Sequence, residues 1–339
     1  MEELTPRQQR ILELVVRAYV DTATPVSSKM LQEMGELGVS GATIRNEMAA
    51  LEEAGYLTHP HTSAGRVPTE KGYRYFVEHL LSDELTPTER NTIRHQFHQA
   101  RLEVAHWMQL AAAVMAHASR GAAVVTAPRL EAPRLRHLEL ISTYSHLVLM
   151  VVVLQGGVVR QRMLSLSEPI SQAELSQIAG HINSRFFNAD AATLQVHLQE
   201  SSGFEQEVLN LVLELLTDSH SAPSPSEIYR DGLSEVLQEP EFSRLGEATA
   251  LVSALEQPDF LREIVNAPIG TVQVVIGGEG RWRELSSCSV VLARYGIEGF
   301  ASGALGVLGP LRMPYGRAIS TVRFVADLMS ELVSGLYVE

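Results

Sequence analysis

The sequence predicts a multidomain α+β protein that begins with a winged helix-turn-helix. Two observations in the first 81 residues lead to this prediction: three short helical patterns with a tight turn before the third, and a Pro/Gly-rich hairpin pattern directly after them. A third observation concerns the rest of the chain, where alternating apolar segments stand on either side of a helical block. We therefore expect an α/β domain whose sheet is interrupted by an inserted, mostly helical module.

The third helical pattern, residues 41–55, has the composition of a helix that reads DNA. Its apolar residues fall on one face at spacings of four and three, and these are Ile44, Met48 and Leu51. Thr43, Arg45 and Asn46 lie mostly on the opposite side. Arginine pairs bidentately with guanine, and asparagine pairs with adenine. An ordinary amphipathic surface helix would show the same periodicity, but the neighbouring segments favour DNA reading.

These neighbouring segments complete the predicted domain. A capping box begins the first helix, Ser27 or Ser28 caps the second, and a Gly-containing turn leads into the third. Residues 56–58 predict a strand, and residues 65–68 predict a turn and a returning strand, so that the two form a hairpin wing. We expect Arg66 to lie at the tip of this wing, where a guanidinium suits a phosphate or a narrow minor groove.

Composition and charge limit the classes of function that this protein can have. The formal net charge of −13 argues against a general polyanion binder, and residues 1–81 carry eight Lys and Arg against eleven Asp and Glu. DNA binding would therefore depend on where individual cationic side chains point. The sequence shows no signal segment and no apolar run long enough to cross a bilayer, and the single Cys288 excludes an internal disulfide framework. We expect a cytoplasmic protein without membrane contact.

Beyond the first domain, the pattern predicts one long helix from Thr86 to about His117. The expected strands cover 137–143, 146–154, 157–164, 271–276, 286–294 and 303–308. The expected helices cover 171–186, 204–216, a segment beginning at 224, short pieces to about 265, and 318–336. The helix over 204–216 is apolar almost all round, which indicates burial inside a domain or against a partner chain.

Motifs for catalysis or metal binding are weak. Gly277-Gly-Glu-Gly280 follows a strand but lacks the Lys-Ser/Thr of a phosphate loop, and Cys288 has no neighbouring base in the sequence. The four histidines of the long helix expected from Thr86 to about His117 lack the convergent spacing of metal ligands, and these are His95, His98, His106 and His117. We expect no enzyme activity, no metal and no cofactor.

Several segments resemble one known family. They are ATIRNEM at 42–48, LEEAGYL at 51–57, PHTSAGR at 60–66, GYRYF at 72–76, VIGGE at 275–279 and GVLGPLRMPY at 306–315. On these segments the chain resembles the HrcA family of heat-inducible transcription repressors over nearly its full length. The resemblance implies a homodimer that binds the inverted-repeat operator called CIRCE, represses chaperone genes, and has its active state assisted by the GroEL chaperonin.

The resemblance also implies that the α/β domain is GAF-like and that the inserted module helps to form the dimer. We therefore expect the winged helix-turn-helix at 1–81, the two parts of the GAF-like domain at 82–185 and 266–339, and the dimerisation module at 186–265. The first part of the GAF-like domain includes a leading linker helix.

Eight residues are candidates for DNA contacts. We expect Thr43, Arg45 and Asn46 to face base edges. The candidates for phosphate or minor-groove contacts are Ser28, Lys29, His61, Arg66 and Lys71. Two alternatives remain open: a small molecule bound in the GAF-like domain controls release from DNA, or protein partners alone drive the regulator.

Overall fold

The computed structural model defines both the secondary structure and the side-chain packing of most of the chain. It describes residues 4–60, 65–81, 85–100, 103–130, 133–144, 146–198, 201–217, 228–242, 249, 252, 268–280 and 285–337. These residues form a mixed α+β protein of helices and antiparallel sheets, as the sequence predicted. Within them, no helix combines the length and the apolar character needed to span a membrane.

The chain divides into two compact units. The first contains Met1–Ala127, Ser224–Arg294 and Ala304–Leu328, and the second contains Pro128–Pro223, Tyr295–Gly303 and Met329–Glu339. The expected inserted module, residues 186–265, therefore does not coincide with either unit. The strand pairing described below accounts for this difference.

Helices and a small ribbon begin the first unit. In chain order they are α1 (Pro6–Thr22), α2 (Ser28–Glu33), α3 (Gly41–Glu53), β1 (Leu57–Thr58), β2 (Val67–Pro68) and α4 (Glu70–Tyr75), which continues as a π-helical turn over Phe76–Leu80. Thr5 forms the expected capping box on α1, and Ser27 rather than Ser28 caps α2. Ile11, Leu31 and Leu51, one from each of the first three helices, are fully buried.

The long helix expected from Thr86 to about His117 is wrong. Two helices occupy this stretch, α5 (Pro87–Gln99) and α6 (Val104–Ser119). Ala100 follows the first of them in an extended conformation with a ψ of 145°, so the hydrogen-bond ladder stops there. The apolar spacing runs on across this break, and periodicity alone therefore does not reveal it.

The remaining elements form two groups of consecutive strands, separated by helices and one short strand. In chain order they are β3 (Ala122–Thr126), β4 (Arg129–Leu130), β5 (Leu135–Tyr144), β6 (Leu147–Leu154), β7 (Val159–Ser165), α7 (Gln172–Phe186), α8 (Ala191–His197), α9 (Gly203–Thr217), β8 (Ile228–Asp231), α10 (Leu233–Val236), β9 (Val272–Ile276), β10 (Cys288–Ile297), β11 (Ala301–Pro310) and α11 (Tyr315–Tyr337). The short segments β3, β4 and β8 were not expected. Where a helix beginning at residue 224 was expected, residues 228–231 form a strand; residues 224–227 and 253–267, with the helical pieces expected there, lie outside the described residues.

One sheet has the strand order β8-β3-β11-β10-β9, with β4 beside β11 and neighbours along the order antiparallel. Strand β8 joins it because Ile228 pairs with Thr126 and Asp231 pairs with Ala123. Strand β11 is buried along its whole length, as expected for a central strand covered on both faces. A buried cluster on this sheet includes Val290, Leu292 and Leu308 and extends to Val236, Phe242 and Leu285.

The three strands β5, β6 and β7 form a second, separate sheet in that order. The sequence analysis expected these strands to share one interrupted sheet with β9, β10 and β11, and this expectation is wrong. Helix α7 closes the outer edge of β5 instead, since the Asn183 amide donates to the carbonyl of Leu138 (2.8 Å) and accepts from its backbone NH (2.7 Å). Because α7 covers this edge, the backbone groups of β5 are not available there for pairing with a strand of the other sheet.

Helix α9 is buried on one side only. Val208, Leu209, Val212 and Leu216 are buried, whereas the apolar residues between them, such as Leu211 and Leu213, remain partly exposed. The described residues therefore cover only one side of α9, and the burial expected all round this helix is not found among them.

Candidate nucleic-acid interface

Helix α3 presents two of the predicted base-reading residues to solvent. Ser40 caps the helix by accepting a 3.2 Å hydrogen bond from the backbone NH of Thr43. Ile44, Met48 and Leu51 are buried, which fixes the rotation of the helix about its axis. Arg45 and Asn46 are consequently exposed, as predicted, while Thr43 is half-buried with its hydroxyl 3.0 Å from that of Ser40.

Helix α2 contributes the predicted cation Lys29. Ser27 caps this helix through the backbone NH of Met30, so Ser28 occupies the first helical position and is half-buried. The Lys29 side chain is 84% exposed, and its Nζ lies 3.7 Å from a carboxylate oxygen of Glu33. An exposed pair of this kind is weak and leaves the ammonium accessible.

Acidic side chains on the same helices are largely paired with arginines. Arg7 lies 3.4 Å from Glu47, and Arg10 pairs with both Glu13 and Glu36. Arg45, in contrast, makes no ion pair among the described residues. The excess of acidic residues in this part of the chain therefore does not neutralise the guanidinium on the outer face of α3.

The ribbon is attached to α3 by Glu52. One carboxylate oxygen accepts a 3.0 Å hydrogen bond from Nε of Arg66, and the other contacts Nδ1 of His59. Burial opposes ionisation of Glu52, but the hydrogen bonds and positive charge of His59 and Arg66 outweigh it, so the pKa of Glu52 is lowered. Glu52 thus holds the chain just after β1 and the chain just before β2 against the end of α3.

Arg66 does not lie at an exposed tip, and this expectation is corrected. Its side chain is only 12% exposed, and its backbone forms a two-hydrogen-bond bridge with Val26, at 2.8 Å in each direction. The connection before α2 therefore pairs with the ribbon at Arg66, the residue just before β2. Gly65 permits this close approach, since a Cβ there would lie within 2.7 Å of the backbone of Pro25 and Val26.

Lys71 also has a different position from the one expected. Its Nζ donates a 2.7 Å hydrogen bond to the carbonyl oxygen of Ala54 and lies 4.2 Å from the ring centroid of Tyr56. The ammonium thus satisfies a carbonyl just after the C-terminus of α3, where a cation is favourable. His61, the remaining candidate, lies outside the described residues.

Sequence reasoning missed two residues that organise this region, Glu52 and Arg312, and considered Arg74 only as one of the cations whose direction would decide DNA binding. Glu52 had a signal available, since it lies in the last turn of α3, close in sequence to the segment that follows the helix. Arg74 donates to a carbonyl 200 residues away, and Arg312 donates to one 292 residues away. No local pattern encodes such contacts.

Comparisons with known proteins show the family of the chain. The family model described as HrcA protein C terminal domain matches residues 105–319. A heat-inducible transcription repressor HrcA of Roseiflexus castenholzii is 44% identical over 346 residues, covering 99% of this chain and 96% of that protein. The corresponding protein of Herpetosiphon aurantiacus is 45% identical over 347 residues, covering 99% and 97%.

A solved structure of a hypothetical protein also shares the fold. It superposes with a TM-score of 0.61 at 22% identity and covers 98% of this chain and 100% of that one. The curated relatives define the class as transcription repressors induced by heat. The chain belongs to the HrcA family.

Proposed function

We propose that the protein represses transcription by binding double-stranded operator DNA through a winged helix-turn-helix made of α2, α3 and the β1–β2 ribbon. The observation that carries this proposal is the outer face of α3, where Arg45 and Asn46 are exposed on a helix fixed by its buried face. In this architecture the second helix of the motif enters the major groove. There a guanidinium and an amide distinguish base pairs by their hydrogen-bonding edges.

The contacts divide into two kinds. Thr43, Arg45 and Asn46 face the bases, while Ser28 and Lys29 bind the phosphate backbone. His61 remains a candidate for the wing. The positions of Arg66 and Lys71 support a different role, because both are engaged with α3 or the chain just after it: they hold the ribbon and the helix end in place.

The active species is a homodimer formed through the second unit. One face of its sheet carries the cross-strand row Ile141, Leu149 and Met163, of which Ile141 is 39% and Met163 is 54% exposed. Contiguous exposed apolar surface of this kind favours association. The proposed dimerisation module is accordingly the unit that contains Pro128–Pro223 rather than residues 186–265.

A two-fold dimer presents two copies of α3, so its target is an inverted repeat, which we propose to be CIRCE. The regulated genes are heat-shock chaperone genes, and the GroEL chaperonin assists the active state in the cytoplasm. Family membership supports these steps. No cofactor, metal or catalytic step enters this function.

Control by a small molecule in the GAF-like domain has less support. Among the described residues, Val236, Phe242 and Leu285 pack with apolar side chains of the large sheet into one buried cluster, which fills space that a ligand pocket would need. A thermal-shift screen checks this alternative: stabilisation by a metabolite that also alters operator binding would replace the chaperonin mechanism with a ligand mechanism.

The deciding experiment is binding of the purified dimer to labelled operator and to a scrambled duplex over a salt series, with and without GroEL. We expect preference for the operator, weakening with salt as counterions are released, and enhancement by GroEL. Equal binding to both duplexes by folded dimer, with and without GroEL, would reject the proposal. Preference for the operator without a GroEL effect would reject only the chaperonin step.

A further inference from the structure

The segment after β9 is shaped around α4. Nη2 of Arg74 donates a 2.9 Å hydrogen bond to the carbonyl oxygen of Val274, and the guanidinium pairs with Glu279 in the following turn. Glu279 has a φ of 44°, in the left-handed region that non-glycine residues rarely adopt. The carboxyl group of Glu70 packs directly against Gly277, which has a φ of 61°. We name these contacts the Arg74 junction.

A second junction is centred on Arg312, just before α11. Its guanidinium binds Glu241 through two hydrogen bonds, of 2.6 Å from Nε and 3.1 Å from Nη2, and also pairs with Glu239. Nη1 lies 3.5 Å from the carbonyl oxygen of Val20 near the end of α1. The Arg312 side chain is only 12% exposed, so solvent screens these charges poorly. We name these contacts the Arg312 junction.

Both junctions hold the same part of the chain, residues 4–60 and 65–81, which we call the reading head. Between the head and the rest of the unit, the rings of Tyr73 and Tyr315 pack with centroids 5.7 Å apart. The buried hydroxyl of Tyr73 has no hydrogen-bond partner among the described residues. Ring packing of this kind resists separation but fixes orientation weakly. The directional contacts are those of the two arginines.

We propose that Arg74 and Arg312 are positioning residues that set the half-site separation accepted by the dimer, by holding each reading head in one orientation on its core. The inference rests on the proposed function, because it needs two heads on one operator. Half-sites read by such dimers lie about 34–36 Å apart, or at multiples of that distance. Rigid heads match one separation, whereas loosened heads sample many at a lower effective concentration.

The test uses the full-length protein and operators whose two half-sites are moved apart by one base pair at a time over one helical turn. The variant Glu241→Gln/Glu279→Gln removes one carboxylate charge from each junction while keeping the shape of both side chains. For wild type we expect affinity to fall at least about tenfold at half a turn, comparable to one mismatched base pair. For the variant we expect the ratio of the affinities at the native and the half-turn spacing to approach one. Its affinity for a single half-site should be unchanged.

The matched control is Glu36→Gln, which removes a carboxylate paired with Arg10 inside the reading head. We expect it to keep the wild-type spacing preference. The inference is overturned if the double variant, confirmed as a folded dimer, keeps that preference as well. If wild type prefers no operator at any spacing, the proposed function fails instead.

A second measurement needs no DNA and tests the inference even if the double variant folds poorly. Spin labels at Glu53→Cys report the distance between the two heads of the free dimer, because Glu53 is exposed and native Cys288 is buried. The single variant Arg74→Gln should broaden this distance distribution, and Arg74→Lys should partly restore it. A distribution as narrow as that of the wild type in Arg74→Gln would overturn the inference.

Discussion

Glu52 and Arg66 are 14 residues apart in sequence and 3.0 Å apart in the fold, from Oε2 to Nε. The second oxygen of the same carboxylate contacts His59 on the other side of the ribbon. One acidic side chain near the end of α3 therefore links the helix that carries Arg45 to both strands of the ribbon, at the side of the connecting loop.

Replacing Glu52 with alanine leaves the poorly exposed Arg66 guanidinium without its partner. We expect Glu52→Ala to lower the free energy of unfolding by about 1–2 kcal/mol at neutral pH, because a half-buried charged donor loses its acceptor. Urea denaturation measures this loss. The neighbouring, exposed Glu53→Ala is the control and should change stability by less than about 0.5 kcal/mol. Equal effects of the two substitutions would contradict the assigned contact.

The difference in stability between wild type and Glu52→Ala should depend on pH. The pKa of Glu52 is lowered from its ordinary value of 4.5 in the folded state, so its stabilising contribution is present above about pH 4.5 and is lost as pH falls through the lowered pKa. The stability gap between wild type and Glu52→Ala should therefore narrow only in acid. A gap that stays constant down to the lowest pH at which the protein folds would argue against the lowered pKa.

A second acidic residue provides a site-resolved prediction. Hydrogen bonds from the backbone NH and hydroxyl of Thr86, together with Arg317, lower the pKa of Glu89 to about 2. Titration followed by NMR should show this pKa for Glu89 in the wild type and a higher pKa for Glu89 in Arg317→Ala. Glu174 is the internal control, since it has the same capping box with Ser171. Its pKa should not respond to Arg317→Ala, and an equal response of both carboxyl groups would indicate a global effect.

The exposed apolar row on the second sheet, Ile141, Leu149 and Met163, predicts which substitution weakens the proposed dimer. Met163→Glu places a charge in the proposed interface, and we expect the dimer dissociation constant to rise at least about tenfold because a buried unpaired charge is costly. Sedimentation equilibrium measures this constant. Val196→Glu is the matched control, because Val196 is 72% exposed on α8, outside this sheet. If Met163→Glu dimerises as tightly as the control, the interface lies elsewhere.

The elements that the sequence predicted well are those with a long local signal. The buried stripe of α3, the capping boxes at Thr5 and Ser171, and the three strands of the second sheet all appear where periodicity indicated. Strand pairing was predicted poorly, because it joins segments far apart in sequence. The four residues of β8 are too few to show alternation, and their partner β3 precedes them by about 100 residues.

The candidate interface follows the same rule. The exposure of Arg45 and Asn46 follows from the apolar face of their own helix, so local spacing was sufficient. The position of Arg66 depends instead on Glu52 and Val26, which belong to other elements. Nothing in the segment around Arg66 distinguishes a solvated arginine from one held against α3 by an acidic side chain.

Lys29 should contribute affinity without sequence preference. We expect Lys29→Ala to weaken binding to operator and scrambled duplexes by a similar factor and to reduce the slope of log affinity against log salt by about one, as expected for one lost phosphate contact. Fluorescence anisotropy over a salt series measures both quantities. A selective loss on the operator would instead assign Lys29 to the bases.

The most direct test of the proposed function is a loss-of-contact scan with Arg45→Ala. Wild type and variant are compared on operators substituted at every position of one half-site, with Arg323→Ala, an exposed arginine on α11, as the control. We expect wild type to discriminate one base pair by about 1–3 kcal/mol and Arg45→Ala to be indifferent at that position while retaining preferences elsewhere. If folded Arg45→Ala keeps the full wild-type preference at every position, α3 does not read the operator through Arg45.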